Sequence, residues 1–194
     1  MIPRNEHPNP NFKRENYEIL NGEWEFEFDF GNSGVNREMF KNSSVFSKKI
    51  TVPFCVESEL SGIGYKDFTP AVWYRKKINI TKEQLENRVF IIFGAVDFHA
   101  KLFVNEVEAG EHFGGYTSFR IELTKYLKEG ENEIKITLTG SLRNLLGPFH
   151  LKEGETHTAL PFYFFHKTNV WGWGDGTNQK WTDDYSFVQN GLFL

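Results

Sequence analysis

The sequence predicts an all-β chain, folded as an antiparallel β-sandwich of jelly-roll type, on three observations. The first is "EWEFEFDF", Glu23 to Phe30, in which Trp24, Phe26, Phe28 and Phe30 alternate with Glu23, Glu25, Glu27 and Asp29. Period-two alternation places the aromatics on one face of a half-buried strand and the carboxylates on the other. The second is the aromatic content, 20 Phe, 7 Tyr and 5 Trp, since flat rings fit a pleated surface. The third is a succession of short strand-like runs separated by turn signals, with little helical periodicity between them.

The elements follow in order. After Glu23–Phe30, strands are expected at about Ala71–Ile80, Arg88–Phe93, His99–Val104, Val107–Phe113, Ser118–Leu123 and Asn132–Leu138. "GNSG", "SGIG" and "KEGEN" are the turns between some of them. Short helical patterns lie at Arg37–Phe40, Thr81–Glu86 and Thr124–Leu127. The carboxylates of Glu23–Asp29 look like a catalytic row at first sight, but the reading preferred is a solvated strand face opposite basic neighbours; "FSKKITV" and "WYRKKINI" supply cationic cross-strand partners.

With 194 residues the chain suits one domain, residues 1–194, and has room for a sizeable core. After Leu138 the character changes. A long excursion, about residues 139–184, is expected to be ordered because "FYFF" is unlike a disordered segment, and a closing strand is expected at about 185–192.

Net charge is −4 without a block of like charges, which argues against a nucleic-acid partner. No apolar run approaches the roughly 20 residues of a membrane helix, so no membrane partner is expected. The polar, Pro-rich beginning shows no apolar signal region, so a cytoplasmic location is expected. The single cysteine, Cys55, sits in "ITVPFCV" and reads as an inert buried thiol. The histidines His7, His99, His112, His150, His157 and His166 make no zinc-ligand pattern.

At "LNGEWEFEFD", "VPFCVESELSGIG", "PAVWYRKKI", "FGAVDFHAKLFVN", "GEHFGGYTSF" and "LTKYLKEGENEI" the chain resembles the N-terminal sugar-binding domain of family 2 glycoside hydrolases, the β-galactosidase and β-glucuronidase group. The resemblance runs from about Arg4 to Ile136 and implies a galactose-binding-like jelly roll. A second resemblance covers "EIKITLTGSLRNLLGPFHLKEGE" and "WTDDYSFVQNGL", which are similar to the closing part of a C-terminal sandwich domain of bacterial glycosidases. Recombination between two related sandwiches would join them at "KEGENEIKI". Where the family has Asn-Gly in the hairpin after "FV", this chain has Asn105-Glu106. The catalytic carboxylates of those hydrolases lie in a (β/α)₈ barrel of roughly 250 residues, for which this chain has neither the length nor the strand–helix alternation.

The resemblance therefore implies a non-catalytic carbohydrate-binding module, without an organic cofactor, binding glycans by loops at one end of the sandwich. Alternatives are an assembly protein whose partner is a second copy or a separate glycosidase chain, and a small glycosidase. Glycoside hydrolysis needs two carboxyl groups across the scissile bond. Glu153, Glu155, Asp175, Asp183 and Asp184 are the candidates in the excursion, and sequence pairs none of them. A structural Ca²⁺, common in folds of this type, would need loop carbonyls and carboxylates, and no Asp-rich loop offers them.

The candidate ligand-binding residues are Trp171, Trp173, Asp175, His112, Tyr116, Arg143 and Asn144. Trp171 and Trp173 can cover the apolar face of a sugar while Asp175 meets its hydroxyls; the alternative is that they plug the sandwich end, as expected for Trp181. His112 and Tyr116 flank Gly114 and Gly115, which permit close backbone approach; the alternative is a histidine satisfied within a turn. Arg143 and Asn144 in "GSLRNLLGP" are hydroxyl donors or, alternatively, a structural contact to loop carbonyls.

Overall fold

A computed structural model describes residues 2–3, 16–67, 69–115 and 117–139, together with the backbone of 192–193. The chain forms β1 (Gly22–Phe28), β2 (Lys48–Val52), β3 (Ala71–Ile80), α1 (Lys82–Leu85), β4 (Phe90–Phe93), β5 (Ala95–Val96), β6 (His99–Val104), β7 (Val107–Phe113), β8 (Phe119–Glu122), β9 (Gly130–Thr139) and β10 (Leu192–Phe193). One layer is a six-stranded antiparallel sheet in the order β2-β1-β3-β9-β6-β7. The pairs β4-β8 and β5-β10 make the facing layer, and all pairings are antiparallel. This is the all-β sandwich the sequence predicts.

The core lies between the layers. Trp24 and Phe26 of β1, Tyr74 of β3, Ile134, Ile136 and Leu138 of β9, and Leu102 and Val104 of β6 meet Ile91, Phe93 and Val96 from the opposite layer. Their rings pack edge to face, with Trp24–Tyr74 and Phe26–Tyr74 centroids 6.5 and 5.4 Å apart. Such pairs add to the gain from removing the rings from water. Cys55 is buried, as expected.

The carboxylates of β1 find the expected cations. Lys49 Nζ lies 2.6 Å from Glu23, Lys48 Nζ lies 3.3 Å from Glu27, and Arg75 pairs with Glu25. The two lysine pairs are cross-strand pairs on a solvated face, each worth little by itself, whereas Arg75 is buried and also reaches Glu133.

The strand ends at Phe28, which corrects two placements. Phe30 leaves the inner face and is 59% exposed. Asp29 is buried instead of solvated, because its carboxylate accepts from the backbone N–H groups of Ser33 (3.1 Å) and Gly34 (2.7 Å) and from Arg37 (3.1 Å). These bonds fold residues 30–46 back across the outer face of the large sheet, where Met39 joins Trp73 and Phe103, with Phe40 stacked on Phe103. Arg37–Phe40 is a series of turns and not a helix: Glu38 sits at φ +54°, a left-handed residue that breaks helical propagation. Lys82–Leu85 and the 3₁₀ turn Thr124–Tyr126 fall within the other two helical patterns; the former is held by a capping box between Thr81 and Gln84.

The β6–β7 hairpin turns on Asn105 (φ +47°) and Glu106 (φ +71°), so this chain makes a tight two-residue turn without glycine. Asn105 compensates through its side chain, which donates to Tyr126 O (2.9 Å) and Asn132 Oδ1 (2.7 Å) and accepts from Glu133 N (3.0 Å). Glu106 is exposed and forms no such bonds among the described residues. Glu106→Gly is therefore expected to raise stability by about 1 kcal/mol, the usual penalty of a left-handed non-glycine residue. Asn105→Gly, with the same backbone freedom, is expected to lower it. Urea midpoints of the two variants check the opposite signs.

No described helix is long and apolar enough to cross a membrane. The closing strand expected at 185–192 lies outside the described residues except for Leu192, which pairs with Val96 while Phe193 pairs with Ala95.

Candidate functional site

The end of the sandwich where β5, β6, β7 and β8 approach carries the only sequence-named site residue that is described, His112. It lies on β7 opposite Ala100, so its ring faces inward and stacks on Phe119 at 3.8 Å, with 15° between planes. Its Nε2 is shielded from water and has no hydrogen-bond partner among the described residues. His112 is therefore a strand residue facing the core layer and not a turn histidine with both nitrogens satisfied. Tyr116, Arg143, Asn144, Trp171, Trp173 and Asp175 lie outside the described residues, as do Trp181 and the acidic candidates Glu153, Glu155, Asp183 and Asp184.

The two glycines after β7 have separate reasons. Gly114 adopts φ +124°, a conformation L side chains rarely adopt, and its N–H donates to Phe98 O at 2.8 Å. Gly115 crosses the buried Asp97 carboxylate so closely that a Cβ there would stand 2.7 Å from Asp97 Oδ1. The close approach expected at this glycine pair is thus made by Asp97.

On the opposite face of the same hairpin, sequence reasoning missed a group. Phe113 lies opposite His99, and the two rings stack at 4.0 Å, 8° from parallel. Phe98 meets Phe113 edge-on at 6.4 Å. His99 Nε2 lies 3.0 Å from Glu111 Oε2, and Lys101 Nζ stands 3.4 Å from Glu108 and 3.6 Å from Glu111. The hydrogen bond with His99, followed by the charge of Lys101, holds the Glu111 carboxyl below the usual carboxylate range. Phe113 remains 57% exposed. The result is a braced aromatic face beside a row of polar groups. Among the described residues no group of three or more His, Cys, Asp or Glu side chains converges to hold a metal ion.

The family model for the sugar-binding domain of family 2 glycosyl hydrolases matches residues 17–144. The chain belongs to this family. Within the sugar-binding domain, the match spans every strand from β1 to β9. The chain is similar to a β-galactosidase of Thermoanaerobacter pseudethanolicus, 33% identical over 116 residues, which are 60% of this chain and 14% of that enzyme. It is also similar to human β-glucuronidase, 26% identical over 145 residues, covering 70% of this chain and 22% of the enzyme. A solved β-glucuronidase of an uncultured Clostridium species superposes with a TM-score of 0.56 at 25% identity, over 63% of this chain and 22% of that one. The chain thus spans only 14–22% of the length of these relatives.

Proposed function

We infer that this sugar-binding domain binds carbohydrate without cleaving it. The observation that carries the reading is the match of residues 17–144 to the family's sugar-binding domain. Six of the described carboxylates support the reading, because cations already engage them. Glu23, Glu25, Glu27, Glu122 and Glu131 are engaged with Lys or Arg on strand surfaces, and Glu133 with Arg75 and Lys135 on the covered face of the sheet. Hydrolysis instead needs two carboxyl groups roughly 5–9.5 Å apart across a bound sugar. Relatives named β-galactosidase and β-glucuronidase make galactosides and glucuronides the first ligands to try.

Titration calorimetry with both ligand classes should give saturable binding, while chromogenic galactosides and glucuronides should remain uncleaved. A glycan array on which the protein binds nothing would refute the reading. Turnover abolished by one carboxylate substitution would refute its non-catalytic part.

A further inference from the structure

We propose that the stacked pair Phe113–His99, with Glu111, Lys101 and Glu108 beside it, is a saccharide subsite selective for neutral sugars over uronic acids. The inference rests on the carbohydrate-binding reading above and supplies a site and a ligand class for it.

An exposed aromatic ring usually lies loosely on its strand. Phe113 does not, because one face of its ring is covered by the His99 imidazole at 4.0 Å and its edge meets Phe98. His99 is itself held by Glu111, and Glu111 faces Lys101. The ring is therefore fixed before any ligand arrives, while the residue keeps 57% of its surface in water. A sugar presents an apolar C–H face rimmed with hydroxyls, and it is recognised by an aromatic face with a few fixed polar groups alongside. Glu108 and Glu111 remain 47% and 45% exposed, so their carboxylates can accept from sugar hydroxyls. Preordering reduces the entropy lost on binding.

Charge decides the ligand class. Lys101 is already shared between two carboxylates, at 3.4 and 3.6 Å, and His99 faces one of them. A uronate would bring its negative charge against Glu108 and Glu111 with no free cation in the group to receive it. A neutral hexose or disaccharide meets no such opposition. The patch thus differs from a glucuronate-selecting site, although several relatives are β-glucuronidases.

The test titrates the full chain with lactose, as the neutral probe, and methyl β-glucuronide, as the anionic one. Lactose should bind more tightly than the glucuronide. Phe113→Ala should weaken lactose binding by about tenfold or more, since the stacking surface is lost. Phe113→Trp, which keeps a flat face, should retain it. Glu111→Gln should weaken lactose by a smaller factor, because the brace on His99 loses its charge. Phe30→Ala, which removes an exposed ring elsewhere, should have no effect. Circular dichroism of each variant checks folding, and Phe113→Trp reports on the site if Phe113→Ala fails to fold. Lactose binding unchanged in Phe113→Ala would overturn the site and leave the carbohydrate reading standing. Tighter binding of the glucuronide would overturn the charge argument. No binding of either sugar to the unaltered chain would overturn the subsite, while an array negative for every glycan is needed to remove the broader reading.

Discussion

Glu133→Ala is expected to lower the stability of the domain by about 3–5 kcal/mol, the range for breaking a buried ion pair from one side. Glu133 sits on β9, on the sheet face that residues 30–46 cover. Its carboxylate accepts from Lys135 Nζ (2.8 Å), from Ser43 Oγ (2.8 Å) and from Arg75, which also reaches Glu25. Lys135 is only 1% exposed, and beyond Glu133 it donates to the carbonyl of Phe40 at 2.8 Å. Among the described residues, the ammonium without Glu133 is left beside the Phe40 carbonyl alone, which does not offset its lost hydration. Glu133→Gln, which keeps an oxygen acceptor but no charge, should fall between the two. The double variant Glu133→Ala/Lys135→Met should recover much of the loss, because an apolar replacement of a whole buried pair is often close to neutral. Urea unfolding of the four proteins measures the coupling. A loss below about 1 kcal/mol in Glu133→Ala would show the network to be as weak as a surface pair.

The same group sets a pH dependence. Burial pushes the Glu133 carboxyl up, but hydrogen bonds from Lys135, Ser43 and Arg75 outweigh burial and hold it below its ordinary value. A lowered folded-state value means the charged form stabilises the fold. That contribution is complete above the unfolded-state value, about 4.3. It is lost as pH falls from there through the lowered value in the folded protein. The stability gap between the unaltered protein and Glu133→Gln should therefore be constant above about pH 5 and close on acidification.

Why some of this was readable in the sequence and some was not comes down to which faces are covered. β1 has one wet face, so its alternation survives and predicts both its buried rings and its ion pairs. β3 and β9 lie at the centre of the sheet. Residues Ala71–Arg75 and Ile134–Leu138 are buried without a break, because the 30–46 segment covers the second face. No period along β9 announces that Lys135 is among the most buried residues. The candidate site failed to show for a different reason. Counting back from Val104 opposite Val107 would set His99 against His112. A bulge between Leu102 and Phe103 shifts the pairing by one, so His99 meets Phe113 and Lys101 meets Glu111. One extra residue exchanges which side chains share a face. His112 goes inward to Phe119, and the aromatic and polar row on the outer face is assembled by a register that the sequence does not state. The family motifs were legible because they rest on residues with fixed tasks, such as Gly114 at its positive φ.

Asp29→Ala is expected to cost about 2–4 kcal/mol, because it removes the acceptor for two backbone N–H groups at once. Its oxygens take Ser33 N and Gly34 N, receive Arg37, and lie 3.4 Å from Trp73 Nε1. Gly34 shows how tightly this knot is drawn. A Cβ there would stand 2.7 Å from Asp29 Oδ2 and 2.8 Å from Met39 Sδ. Gly34 does not adopt a positive φ, so the penalty of Gly34→Ala is steric, and about 1–3 kcal/mol is expected from overpacking. Both changes should loosen residues 30–46 while leaving the sandwich core closed. Hydrogen exchange separates the outcomes: amides of Arg37 and Met39 should lose protection, while those of β3 and β9 keep it. Equal loss in all of them would mean that Asp29 holds the whole domain and not its cover. The two large effects also meet at one place, since the segment tied down by Asp29 is the one that buries Lys135 against Phe40 O. Opening it lets water reach the ammonium, which lowers the cost of removing Glu133. Asp29→Ala/Glu133→Ala should therefore lose less than the sum of the single variants, by 0.5 kcal/mol or more on the roughly 0.5–3 kcal/mol scale of coupled neighbours. Strict additivity in a urea-based double-mutant cycle would show that the cover and the charge network act independently.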